Sequence, residues 1–149
     1  MNDRDDAAGP RVVRAMRGQF AREMTSLDDV FEFLTRFSEA ERVDPSASYV
    51  LNLAVEEFFT NMIKYGGEPA QNIVVEAMRA GKIVTVRVEG KTPEAFDVTR
   101  PTQTQFDMPA MERKPGGLGI HIAKEMLDGL RYDYVDGISR ITLIKNLEK

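Results

Sequence analysis

Apolar residues recur along this chain first at helical and then at strand spacing. Leu27, Val30, Phe31, Leu34 and Phe37 stand three and four residues apart, which predicts a helix with one buried stripe. Thr25-Ser26-Leu27-Asp28 resembles a capping box, with Asp where Glu is commoner. Asp44 suits the N-cap of a second helix and Pro45 its first position. That helix is expected from about Pro45 to Tyr65, where Gly66-Gly67-Glu68-Pro69 breaks it. Ile73–Met78 and Ile83–Glu89, separated by Ala80-Gly81-Lys82, predict a β-hairpin. Val84, Val86 and Val88 share one face of its second strand, and Thr85 and Arg87 the other. Upstream, Arg11–Arg22 sets Val12, Val13, Met16 and Phe20 among four arginines, an ambiguous pattern read as an edge strand.

Periodicity then lapses from Gly90 to Pro115, a run punctuated by Pro93, Pro101, Pro109 and Pro115. A connection this long inside a compact domain is more often a functional lid than an idle loop, although a plain surface insertion has the same signature. It leads into Gly116-Gly117-Leu118-Gly119-Ile120, after which Ile120, Ala123, Leu127 and Leu130 form a stripe with Met126 beside it. His121 falls about 100° round that helix, at its rim. Gly129 weakens the helix end. Tyr132–Val135, Asp136-Gly137 and Ile138–Ile144 predict a second hairpin on an Asp-Gly turn. The core layer is therefore sheet on helices.

Composition narrows the chemistry. A length of 149 residues suits one domain with a real core. Residues 1–10 are expected to be a disordered tail and 11–149 the domain, with a lid at about 97–115. The absence of Cys excludes disulfides, thiolate nucleophiles and cysteine metal sites, and a single His argues against a histidine metal cluster or a Ser-His-Asp triad. A formal charge of −4 gives no reason to expect direct nucleic-acid binding. No apolar window approaches the roughly 18–20 residues that cross a bilayer, and no signal-type segment opens the chain. The expectation is a cytoplasmic protein with no membrane association.

Two stretches carry candidate chemistry. With Leu51 at 0° on a helical wheel, Val55, Phe58 and Met62 fall within about 60° of it and define a core face. Glu57, Asn61 and Lys64 fall near about 240°, 280° and 220°, on one flank beside that face, while Glu56 lands on the other flank near about 140°. Alone, that trio reads more readily as a solvated face than as a site. A glycine-rich loop entering a helix, as at Gly116–Gly119, presents unpaired N–H groups and a positive dipole end to an anion, or merely satisfies a turn.

Taken together, Glu57-Phe58-Phe59-Thr60-Asn61-Met62-Ile63-Lys64-Tyr65 resembles a Glu-x-x-x-Asn box and Pro115-Gly116-Gly117-Leu118-Gly119-Ile120 a second glycine box. Phe96-Asp97 resembles the Phe-Asp that precedes an ATP lid, and Leu127-Asp128 through Leu147 the closing pattern. These are boxes of the histidine-kinase-like ATPase superfamily of gyrase, histidine kinases, MutL and a heat-shock chaperone. Within it the chain resembles the stand-alone anti-sigma-factor serine/threonine kinases, from about Val12 onward. The resemblance implies an α+β fold: a two-layer α/β sandwich of the Bergerat type, its mixed sheet covered by about three helices on one face. It implies ATP and Mg²⁺ as cofactors, with Glu57 as general base and Asn61 as the Mg²⁺ ligand. It gives phosphate to Gly116, Gly117, Leu118, Gly119 and Ile120 and γ-phosphate charge to Arg113 or Lys114, with Lys64 open to the same use or to a surface role. The implied partners are an anti-sigma-factor antagonist, a sigma factor and a second copy of the chain. The first glycine box departs from the family: counting from Phe96 puts Thr92-Pro93 where an adenine-reading Asp-Gly is expected, and counting from the strand puts Glu89-Gly90 there. That departure motivates an alternative, an ATPase-fold interaction module without catalysis. A histidine-kinase catalytic domain needs a dimerising helix with a phosphoacceptor His, for which the residues before Val12 leave no room.

Overall fold

The computed structural model describes residues 14–65, 71–93, 95 and 124–148. The tail at 1–10, the helix break at 66–69, the lid at 97–115 and the glycine loop at 116–120 lie outside the described residues, as do Phe96 and His121.

Among the described residues the chain forms strand β1 (Arg14–Phe20), helices α1 (Leu27–Ala40) and α2 (Pro45–Tyr65), then strands β2 (Ile73–Ala80), β3 (Ile83–Lys91), β4 (Gly129–Val135) and β5 (Ile138–Asn146). Lys124–Met126 is helical, at the end of the third expected helix. The strands make one sheet in the order β1-β2-β3-β5-β4. Every pairing in it is antiparallel, where a mixed sheet was expected. The reason is topological. β3 and β4 do run parallel, but β5 is laid between them, so the two parallel strands never touch.

Strand alternation builds the core. Val84, Val86 and Val88 are fully buried on one face of β3, opposite Ile141 and Leu143 of β5 and beside Val75 and Ala77 of β2. Leu51, Val55, Phe58 and Met62 of α2 are buried with them. β1 is an edge strand, as its pattern suggested, and Phe20 anchors it: its ring meets Phe33 of α1 and Phe59 of α2 edge-on, at 5.7 and 6.5 Å between centroids. No described helix is long and apolar enough to cross a membrane.

Local signals explain the element ends. The amide of Ala47 donates to Asp44 Oδ1 at 2.8 Å, so Asp44 caps α2 with Pro45 as its first residue. Asp136 and Gly137 both take positive φ, 54° and 79°, as a two-residue turn matched to strand twist requires. Four details differ from the sequence reading. α1 starts after a 3-10 turn at Met24–Ser26, and Ser26 at its N-cap makes no side-chain cap bond, so no capping box forms. Phe33 joins Val30, Leu34 and Phe37 in the buried stripe, while Phe31 is only half-buried. β3 continues through Gly90 to Lys91, because Gly90 and Lys91 pair with Ser139 and Ile138. Leu130 belongs to β4 rather than to a helix, because it pairs with Leu143.

Phe58 is fully buried at the centre of the α2 face. Phe58→Ala is expected to cost about 3–5 kcal/mol in equilibrium urea denaturation, through lost burial and the cavity left behind. Arg42 ends α1 at φ 56°, with the amide of Val43 donating back to the Ser38 carbonyl at 2.9 Å. Arg42→Gly is expected to stabilise the fold by about 0.5–1 kcal/mol in the same measurement, because only glycine enters that region without strain.

Candidate functional site

The packing of α2 decides which way its polar groups point. With Leu51, Val55, Phe58 and Met62 committed to the sheet, Glu57 and Asn61, one turn apart, are held on one flank. Glu57 is only 8% exposed and Asn61 half-buried, whereas Glu56 on the opposite flank and Lys64 beyond are exposed. A carboxylate and an amide thus stand at the border of the apolar layer.

The end of α2 abuts the end of β3. A Cβ placed on Gly90 would stand 3.1 Å from Met62 Sδ and 3.5 Å from Ile73 Cγ1. The missing side chain is what lets helix and strand approach there. Gly90 shares the inner face of the sheet with Val84, Val86 and Val88, so alternation turns Glu89 to the outer face. There Glu89 accepts a bond from Arg140 Nε at 2.8 Å. Thr92, just past the strand, is instead buried.

Thr92 belongs to a chain of hydroxyls. Its Oγ1 lies 2.7 Å from Ser139 Oγ, and Ser139 Oγ lies 2.9 Å from the Tyr132 hydroxyl. The backbone of Thr92 is also fixed: its amide donates to the Gly137 carbonyl at 3.0 Å, and its carbonyl accepts from the Tyr134 hydroxyl at 3.2 Å. Of the two sequence candidates for the first glycine box, Glu89 and Thr92, only Thr92 is turned toward the layer that α2 covers. Each hydroxyl can donate or accept, which a carboxylate cannot do.

Sequence reasoning missed Ser139, Tyr132, Tyr134 and Arg22. For Ser139 the signal was there: strand period puts it in register with Ile141 and Leu143, a polar residue on a core face. Arg22 had none, being one arginine among several in an ambiguous segment. Of the remaining candidates, Phe96, Arg113, Lys114, Gly116, Gly117, Leu118, Gly119 and Ile120 lie outside the described residues. Among the described residues no group of three or more His, Asp or Glu gathers as a metal cage. Asn61 does offer the oxygen donor that a hard cation such as Mg²⁺ accepts.

The chain matches a known domain. Residues 20–145 match the family model for the histidine kinase-like ATPase domain, and the chain belongs to that family. No curated protein sequence matches it. Among solved structures, the chain is similar to the RsbU and RsbW domains of Rv1364c from Mycobacterium tuberculosis, at 18% identity and a TM-score of 0.65 over 90% of this chain. It spans 32% of the length of that protein chain. It is also similar to a chain of the SiaB–SiaC complex from Pseudomonas aeruginosa, at 13% identity and a TM-score of 0.60, covering 87% of this chain and 88% of that one. At these identities the likeness is one of fold.

Two substitutions separate the inner and outer faces. Ser139→Ala, which removes the hydroxyl bonded to both Thr92 and Tyr132, is expected to cost about 1–3 kcal/mol in equilibrium denaturation. Glu89→Ala breaks only a half-exposed ion pair and is expected to change stability by less than about 1 kcal/mol.

Proposed function

We propose that this chain is an ATP-binding serine/threonine protein kinase that also acts as an anti-sigma factor. It would transfer the γ-phosphate of Mg-ATP to a Ser or Thr of an anti-sigma-factor antagonist, and hold a sigma factor when that antagonist is not available. The observation that carries this reading is the pairing of Glu57 and Asn61 on one flank of α2, beside the end of β3, within a histidine kinase-like ATPase domain. The neighbours support the finer part. One includes an RsbW domain, and the other is a complex of two proteins, which favours a protein partner here. A cytoplasmic homodimer fits the same reading, with β1, the edge strand among the described residues, as its pairing surface.

The chemistry assigned to this chain's residues is phosphoryl transfer. The partner's hydroxyl oxygen attacks the γ-phosphorus and a new P–O bond forms. The bond from that phosphorus to the β–γ bridging oxygen breaks, and ADP leaves with the electron pair. Glu57 takes the hydroxyl proton, a role suited to a carboxylate held in place by a buried helix. The side-chain oxygen of Asn61 would hold Mg²⁺, which would supply neutralisation of phosphate charge. Gly116, Gly117, Leu118, Gly119 and Ile120 would cradle the phosphates, while Arg113, Lys114 and Lys64 are the candidate cations. Thr92, rather than Glu89, would meet the base, with Phe96 nearby in sequence.

A second reading, an interaction module without catalysis, is favoured by the hydroxyl chain at Thr92, since a neutral acceptor binds an amino group less strongly than a carboxylate. Thermal melting separates the two. Mg-ATP at a hundredfold excess over Kd is expected to stabilise the fold by about 2.7 kcal/mol, read as a rise of several degrees in Tm. Asn61→Ala is expected to abolish that rise. Glu57→Gln is expected to keep it while slowing phosphotransfer by about 10²–10⁴-fold. No rise at millimolar ATP would favour the module, and phosphotransfer at the wild-type rate in Glu57→Gln would remove Glu57 as the base.

A further inference from the structure

Arg22 follows the edge strand β1, yet only 6% of it is exposed. Its three hydrogen bonds to described residues all go to backbone carbonyls, each in a different segment. Nε donates to Gln71 at 3.0 Å, Nη1 to Met62 at 2.9 Å and Nη2 to Lys91 at 2.8 Å. Met62 is the neighbour of Asn61 and among the last four residues of α2, whose carbonyls have no partner within the helix. Lys91 is the last residue of β3 and the neighbour of Thr92. Gln71 precedes β2. The guanidinium also lies beside Gly90, with Nη2 3.0 Å from where a Cβ would stand.

Keeping a cation here has a cost. Burial lowers the pKa of Arg22 by desolvation. What offsets that cost is the negative end of α2 and three carbonyls whose directions match the planar fork of arginine. A lysine ammonium, a point donor on a flexible stem, cannot reproduce the three directions at once.

We propose that Arg22 is a positioning residue of the nucleotide site: it ties the end of α2 that carries Asn61 to the end of β3 that leads into Thr92, and so sets the spacing between the metal-ligand side and the base side. The proposal rests on the nucleotide-binding reading given above. Removal of the fork releases both ends together, although they lie about thirty residues apart in sequence, and the loss appears in ligand affinity rather than in folding alone.

The test uses the full chain with Arg22→Lys and with Gly90→Ala, whose methyl group presses on both the guanidinium and Met62 Sδ, and so on both sides of the junction, while Arg22 is kept. Amide hydrogen exchange without nucleotide is measured at residues 61–65 and at Lys91 and Thr92, and Mg-ATP affinity by calorimetry at a temperature where every variant is folded. In Arg22→Lys, protection at both segments is expected to fall together by at least about tenfold while that of α1 is unchanged. Mg-ATP affinity is expected to fall by at least about tenfold, and Gly90→Ala is expected to move both readouts in the same direction. Loss of protection at only one segment overturns the clamp. Loss at both with wild-type Mg-ATP affinity reduces Arg22 to a structural residue and overturns the positioning role alone. A wild-type chain that does not bind Mg-ATP overturns the nucleotide reading itself, and the positioning role with it.

Discussion

The burial of one face of α2 against the inner face of the sheet is the constraint on which the site depends. Leu51, Val55, Phe58 and Met62 leave the helix no freedom to rotate about its axis. That lock decides where every other side chain of α2 points. Glu57 and Asn61 share a border of the apolar layer because they sit one turn apart on a helix whose rotation is already set. Their direction is a by-product of packing.

The same layer has an end that must be closed, and polar groups close it. Where the valine ladder of β3 runs out at Gly90, the space between sheet and helix is finished by the hydroxyls of Thr92, Ser139 and Tyr132 on one side and the guanidinium of Arg22 on the other. Buried polar groups persist only when hydrogen-bonded, so this end is held by directional bonds rather than by area. Such bonds fix geometry more tightly than apolar contact does.

Much of the fold was legible in the chain. The start of α2 followed from Asp44-Pro45. The Asp136-Gly137 turn fixed the last hairpin, and the alternation of Val84, Val86 and Val88 named the core face of β3. Phe33 was missed in favour of Phe31 because the two differ by about 200° on the wheel, and a run of close apolar residues leaves the stripe's edge open until its partners are known. Leu130 was read as helical because its spacing continued the stripe, although Gly129 had already signalled the change. The ion pair of Glu89 with Arg140 joins residues on different strands, and no pattern within either strand contains it.

By itself the sequence determined the elements, their order, and the flank of α2 on which Glu57 and Asn61 lie. Each of these is a periodicity or a turn preference that operates within a few residues. Tertiary structure alone decided that the hydroxyls of Thr92, Ser139 and Tyr132 meet, and that Arg22 joins three separate segments. Both depend on strand register and on which ends meet in space. A shift of one residue in register reverses the face of every side chain, and nothing within a segment records which distant carbonyls will surround an arginine.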